Sequence, residues 1–99
     1  MEKEDLSKSV KEIINKKLRL PHYKIFFFGS RVSGKASEWS DYDIGIEVSG
    51  RIPPGVLMDI EDELKNLRIM QKIDLVDFSG VSEEFKKVAL RDIEVIYER

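Results

Sequence analysis

The sequence predicts an α/β domain of the α+β kind, a small mixed β-sheet with helices packed on one face. Three observations lead there. The chain has 99 residues, enough for one hydrophobic core and too few for two, so residues 1–99 read as a single domain. Apolar periodicity alternates between helical and strand patterns in the order helix, strand, strand, helix, strand, helix, strand. The run Ile25-Phe26-Phe27-Phe28 is apolar throughout, as a central strand covered on both faces must be.

The elements follow in chain order. Leu6, Val10, Ile13, Ile14 and Leu18 keep helical spacing, so residues 4–20 read as an amphipathic helix. Lys16, Lys17 and Arg19 complement the dipole of its last turns, and Pro21 ends it. Residues 23–28 form the buried strand, broken by Gly29-Ser30, and residues 30–40 read as a short helical turn and a loop. Residues 41–48 alternate: Tyr42, Ile44, Ile46 and Val48 take one face, Asp41, Asp43, Gly45 and Glu47 the other. Leu57, Ile60, Leu64 and Leu67 mark a helix over residues 55–69. A third strand spans residues 72–78. Ser82 is an N-cap, with Glu83 and Glu84 in the first turn of a helix reaching about Leu90. Ile93, Val95 and Tyr97 alternate as a short last strand.

Composition excludes several classes of function. There are no cysteines, so disulfides, zinc-thiolate sites, Fe–S clusters and cysteine nucleophiles are absent. The single histidine, His22, cannot make a multi-histidine metal site. No apolar run approaches the ~20 residues of a membrane span, and the charged start, Met1 to Asp5, lacks a signal core. A soluble cytoplasmic protein without a membrane partner is expected. The net charge is −2, which gives no fold-wide attraction to nucleic acid.

The stretch that carries chemistry runs from Gly29 to Gly45. Residues two apart on a strand project to the same face, so the carboxylates of Asp41 and Asp43 should lie about 5–7 Å apart. Like charges ~4 Å apart repel by about 4 kcal/mol at an effective dielectric near 20. Water, a proton or a cation must relieve that repulsion, and magnesium fits because it takes hard oxygen ligands and leaves positions open for substrate phosphates. Asp74 adds a third carboxylate if the second and third strands are neighbours. Three carboxylates can hold two Mg²⁺ ions, the arrangement that clamps attacking and leaving oxygens in phosphoryl or nucleotidyl transfer. Asp77 is a rival, but an offset of three residues sends it to the opposite strand face from Asp74.

The Gly-Ser step supplies the other half. Gly29 permits a sharp turn and close approach of a ligand to the backbone. Ser30 opens a helical turn and adds a hydroxyl donor where an anion such as a triphosphate would lie. Arg31 and Lys35 are nearby cations. Asp-x-Asp alone describes many solvated sheet faces, and Gly-Ser alone many turns; it is their combination that points to a site. Trp39, in the loop before the carboxylates, could meet a base or a partner, although a Trp there more commonly covers its own core.

Gly29-Ser30, ten residues, then Asp41-x-Asp43 resembles the signature of the minimal nucleotidyltransferases of the DNA-polymerase-beta-like superfamily. The local sequences Phe28 to Gly34 and Ser40 to Ile44 match it, and length and element order extend the likeness over nearly the whole chain. The resemblance implies the nucleotidyltransferase fold. It implies Gly29, Ser30 and Arg31 for nucleotide binding, Asp41, Asp43 and Asp74 as catalytic Mg²⁺ ligands, and Asp74 also as base toward the acceptor hydroxyl. Many relatives carry a second arginine where this chain has Ser33.

It further implies a nucleoside triphosphate, ATP, as substrate and a small helical HEPN protein as partner. Some such domains are antitoxins that move AMP onto a tyrosine of the HEPN toxin. Three functions remain distinct expectations: a protein adenylyltransferase, an antitoxin that neutralises its HEPN partner by contact alone, and a transferase acting on a small molecule or an RNA end.

Overall fold

The computed structural model of the protein describes residues 2–34 and 40–99. The elements run α1 (Lys3–Lys17), β1 (Tyr23–Phe28), α2 (Ser30–Ser33), β2 (Tyr42–Val48), α3 (Pro54–Lys65), β3 (Ile73–Asp77), a 3₁₀ turn (Phe78–Gly80), α4 (Glu83–Ala89) and β4 (Glu94–Glu98). The four strands lie in the order β3-β2-β1-β4. β1 pairs antiparallel with both β2 and β4, and β2 pairs parallel with β3, which makes the sheet mixed. A parallel pair needs a crossover connection, and α3 supplies it. Among the described residues no helix is long and apolar enough to cross a membrane.

The first face of the sheet carries the larger core. Leu6, Val10, Ile14 and Leu18 from the α1 segment and Ile60 and Leu64 from α3 pack with Ile25, Phe27, Ile44 and Ile46. Both helices end earlier than their apolar spacing suggests. α1 stops at Lys17, and Leu18 is already extended at φ −92°, ψ 111°, yet its side chain remains buried. Pro21 disfavours helical geometry for the residue before it, so the chain is leaving the helix by then. α3 stops at Lys65, capped by Asn66, while Leu67 still packs on the core from outside the helix. Burial without helical geometry accounts for both overruns.

The second face is not bare. Phe26 and Phe28 of β1 are buried with Phe78 of the 3₁₀ turn, and Val76, Val81, Ala89, Leu90 and Ile93 pack around them. Phe85 of α4 meets Phe28 edge-on at 6.2 Å between ring centroids. α1 and α3 therefore cover one face as expected, while the 3₁₀ turn and α4 cover part of the other, because two phenylalanines on that face must leave water. Gly45 of β2 lies beneath this cluster. A Cβ there would come within 2.6 Å of the Phe26 and Phe78 rings, so glycine is the residue that lets β2 pass under them.

Candidate active site

Strand register builds the site. Phe28, the last residue of β1, is paired with Asp43 of β2, and Asp43 is paired with Asp74 of β3. One row therefore crosses three strands on the second face of the sheet. The backbone N–H of Tyr42 donates to the carbonyl of Lys72 at 2.9 Å, which fixes the start of β2 against the start of β3. Asp41 precedes β2 by one residue and is exposed; Asp43 and Asp74 are half-buried.

The three carboxylates feel one another. Partial burial raises the pKa of Asp43 above its ordinary value of 3.8, and the negative charges of Asp74 and then Asp41 raise it further. Asp74 has a counter-charge in Lys72, whose Nζ lies 3.4 Å from Asp74 Oδ1. Lys72 escaped attention in the sequence, although its position two residues before Asp74 in an alternating segment was a usable signal. Asp77 is engaged elsewhere: it accepts from the backbone N–H and the hydroxyl of Ser79 and caps the 3₁₀ turn.

Gly29 stands against this row. Its backbone has φ 80° and ψ −155°, a region open to glycine almost alone, and a Cβ there would overlap the Asp43 carboxylate. Ser30 follows as the first residue of α2, and Gly34 closes that short helix in the left-handed conformation, its N–H on the Ser30 carbonyl. Gly29, Ser30 and Asp43 are thus brought to one corner of the sheet.

Arg31 makes two contacts that join the short helix to the next strand. Its Nε and Nη2 both donate to the Ser40 carbonyl, at 3.1 and 2.7 Å. Its guanidinium carbon lies 4.1 Å from the centre of the Tyr42 ring. It thereby ties α2 to the residue before Asp41, a fork-and-stack geometry suited to arginine. Lys35 and Trp39 lie outside the described residues.

Among the described residues no three Asp, Glu or His side chains converge tightly enough to form a closed metal-ligand group. The chemistry of the donors nevertheless fits a hard divalent cation. All three are carboxylates, and the proton affinity of Asp43 is raised first by burial and then by its acidic neighbours Asp74 and Asp41, a charge that a bound cation would offset.

Comparisons with known proteins agree with this architecture. A crystal structure of a toxin–antitoxin with AMP-PNP superposes with a TM-score of 0.75 at 16% identity, covering 94% of this chain and 73% of that one. The MNT antitoxin complexed with a tri-AMPylated HEPN toxin from Shewanella oneidensis gives 0.71 at 14% identity, covering 95% and 71%. At such identities the likeness is one of fold. The probable protein adenylyltransferase MntA of Haemophilus influenzae is 29% identical over 80 residues, 81% of this chain and 70% of that protein. Residues 5–99 match the family model for polymerase beta nucleotidyltransferases, and the chain belongs to that family of nucleotide-transferring enzymes.

Proposed function

We propose that this chain moves AMP from ATP onto a hydroxyl of a protein acceptor with Mg²⁺ as cofactor, and that the acceptor is a HEPN-domain toxin for which the chain is the antitoxin. The observation that carries the reading is the row Phe28–Asp43–Asp74 with Gly29 packed on Asp43. It is further supported by the adenylyltransferase description of the Haemophilus influenzae relative and by the AMP-PNP and AMPylated HEPN complexes among the structural neighbours.

Asp41, Asp43 and Asp74 are the residues that would hold the metal, which when bound neutralises charge on the phosphate oxygens. Gly29 and Ser30 offer backbone and hydroxyl beside Asp43, where triphosphate oxygens would be held. The acceptor oxygen forms a bond to the α-phosphorus while the bond from that phosphorus to the bridging oxygen breaks. Pyrophosphate leaves with the electron pair, and the hydroxyl proton passes to Asp74. The Asp74 side chain is 40% exposed, which leaves it accessible to a macromolecular acceptor. Arg31 binds no reacting atom in this scheme; through Ser40 and Tyr42 it positions Asp41.

The test uses the purified chain, its HEPN partner, ATP and Mg²⁺, read by intact mass. The expected result is an AMP-sized gain on the partner that disappears on chelation. A partner that is fully neutralised by the Asp41→Ala/Asp43→Ala double variant with no mass gain would instead support an antitoxin that acts by contact alone.

A further inference from the structure

β3 lies at one edge of the sheet, with β2 on its inner side and no described strand on its outer side. The Tyr42 N–H bonds to the Lys72 carbonyl, so the Lys72 backbone faces β2. Backbone groups alternate along a strand, and those of Asp74 and Val76 face β2 in the same way. Ile73 and Leu75 therefore turn their N–H and C=O groups outward, where no described backbone group meets them. Their side chains pack on the first-face core, while Asp74 stands on the opposite face. An open row of backbone donors and acceptors is a template for a further strand.

Two hollows follow this edge between α3 and β3. One, of about 210 Å³, has Asp74 and Glu61 in its lining. The other, of about 320 Å³, continues past Leu67, Ile69 and Met70. They share Leu64, Lys65, Lys72 and Ile73 and so adjoin. Met70 is 78% exposed, an apolar side chain that no core contact requires. The charged residues lining its end of the groove are Lys65 and Lys72, both cations. The groove thus runs from an apolar end with positive charge to one carboxylate of the site.

We propose that the open edge of β3 docks the acceptor protein through an extended segment that adds a strand to the sheet, with an apolar side chain beside Met70, an acidic one near Lys65 and the acceptor hydroxyl across from Asp74. This rests on the proposed transfer reaction and names how its protein substrate is held. The Asp74 backbone faces β2, so in an antiparallel pairing the residue across from Asp74 exchanges no hydrogen bonds with it. Such pairs are the closer kind, with Cα atoms about 4.5 Å apart. A short hydroxyl side chain there reaches the Asp74 carboxylate, and a tyrosine reaches it from the diagonal position. The hydroxyl then arrives from the outer end of the row, while Gly29 and Ser30 lie at the inner end beyond Asp43. Attacking and leaving oxygens stand on opposite sides of the transferred phosphorus, as in-line displacement requires. Main-chain pairing gives affinity for an extended chain, and the groove selects which chain.

The test combines amide hydrogen exchange and intact mass on the full chain mixed with its HEPN partner, ATP and Mg²⁺. Calorimetry then compares the chain with Met70→Glu and Lys65→Ala for binding of the partner and of ATP with Mg²⁺. Met70 lies outside every helix and strand, so Met70→Glu leaves the core alone and is the deciding variant. The complex should slow exchange at the Ile73 and Leu75 amides by about tenfold or more, as newly paired backbone groups do. Each variant should weaken partner binding about fivefold or more, the scale of a side chain that matters at an interface, with ATP affinity held within about twofold because the sites are separate. Partner modification without slowed exchange at Ile73 and Leu75 overturns the docking and leaves the transfer reaction standing, as does parent-like partner binding by Met70→Glu. Slowed exchange without any mass gain supports the edge as the partner's seat and sinks the transfer. Slowed exchange in the chain alone, rising with its concentration, gives the edge to a second copy and overturns the proposal; failure to form any complex overturns docking and transfer together.

Discussion

Asp43 and Asp74 are register partners on adjacent parallel strands, so two carboxylates stand side by side on one face of the sheet. Burial and the neighbouring charges of Asp74 and Asp41 raise the Asp43 pKa. The folded state therefore binds this proton more tightly than the unfolded chain does. The associated stability is fully present below the ordinary value of 3.8 and is lost as pH rises through the raised folded value. Asp43→Asn should flatten that part of the pH–stability curve and leave the protein at neutral pH equally stable or more so, by about 0–1 kcal/mol for a half-buried group still screened by solvent. Denaturant titration at pH 3 to 7, about the range in which carboxylates titrate, checks this. The same variant should lose transfer activity by about 10²–10³-fold, and a stable, active variant would remove Asp43 from the mechanism.

Gly29→Ala and Gly34→Ala separate backbone strain from collision. Both glycines have positive φ, but a Cβ at Gly34 meets open space while one at Gly29 runs into the Asp43 carboxylate. Gly34→Ala should cost about 1–2 kcal/mol from backbone conformation alone. Gly29→Ala should cost more, toward about 3 kcal/mol or beyond, and should also abolish transfer by displacing Asp43. Equal unfolding midpoints for the two variants would contradict the close approach.

Gly45→Ala tests the second-face core. Its Cβ would press on the Phe26 and Phe78 rings, an overpacking that costs typically about 1–3 kcal/mol. Phe78→Leu alone should also destabilise. Combined with Gly45→Ala it should cost less than the sum of the two, because the smaller side chain makes room for the methyl group. A double-mutant cycle by denaturation reads the coupling directly; strict additivity would mean the rings are not what excludes a side chain there.

Arg31→Lys should fail to replace arginine. A lysine cannot make the forked contact to the Ser40 carbonyl or stack its plane on Tyr42. We expect a loss of about 0.5–1.5 kcal/mol in stability, the worth of a typical internal hydrogen bond, together with a fall in the transfer rate. A drop in nucleotide affinity with unchanged stability would instead make Arg31 a direct phosphate ligand.

Much of this arrangement was readable along the chain. The spacing of Leu6, Val10 and Ile14 makes α1 amphipathic, the apolar run at Ile25 to Phe28 demands a doubly covered strand, and the alternation from Asp41 to Val48 puts Asp41 and Asp43 on one face. Ser82 does cap α4, accepting the Phe85 backbone N–H at 3.1 Å. Each of these is a local property, set by how a 3.6- or two-residue repeat meets a single apolar interior. Which strand lies beside which is not local. β3 can contribute Asp74 only because α3 carries the chain back to pair parallel with β2, a choice among ladders that look alike in sequence. Tertiary packing likewise placed α4 over Phe26 and Phe28 and turned Arg31 onto Ser40. Sequence alone thus determined the elements and the polarity of most of their faces. In β4 the alternation of Ile93, Val95 and Tyr97 fails, because a register shift between Ile25 and Phe26 sets Tyr97 against the first-face core and leaves Val95 exposed opposite Phe26. The meeting of Asp43 with Asp74 was decided by long-range hydrogen-bond register, which leaves no periodic trace in the chain.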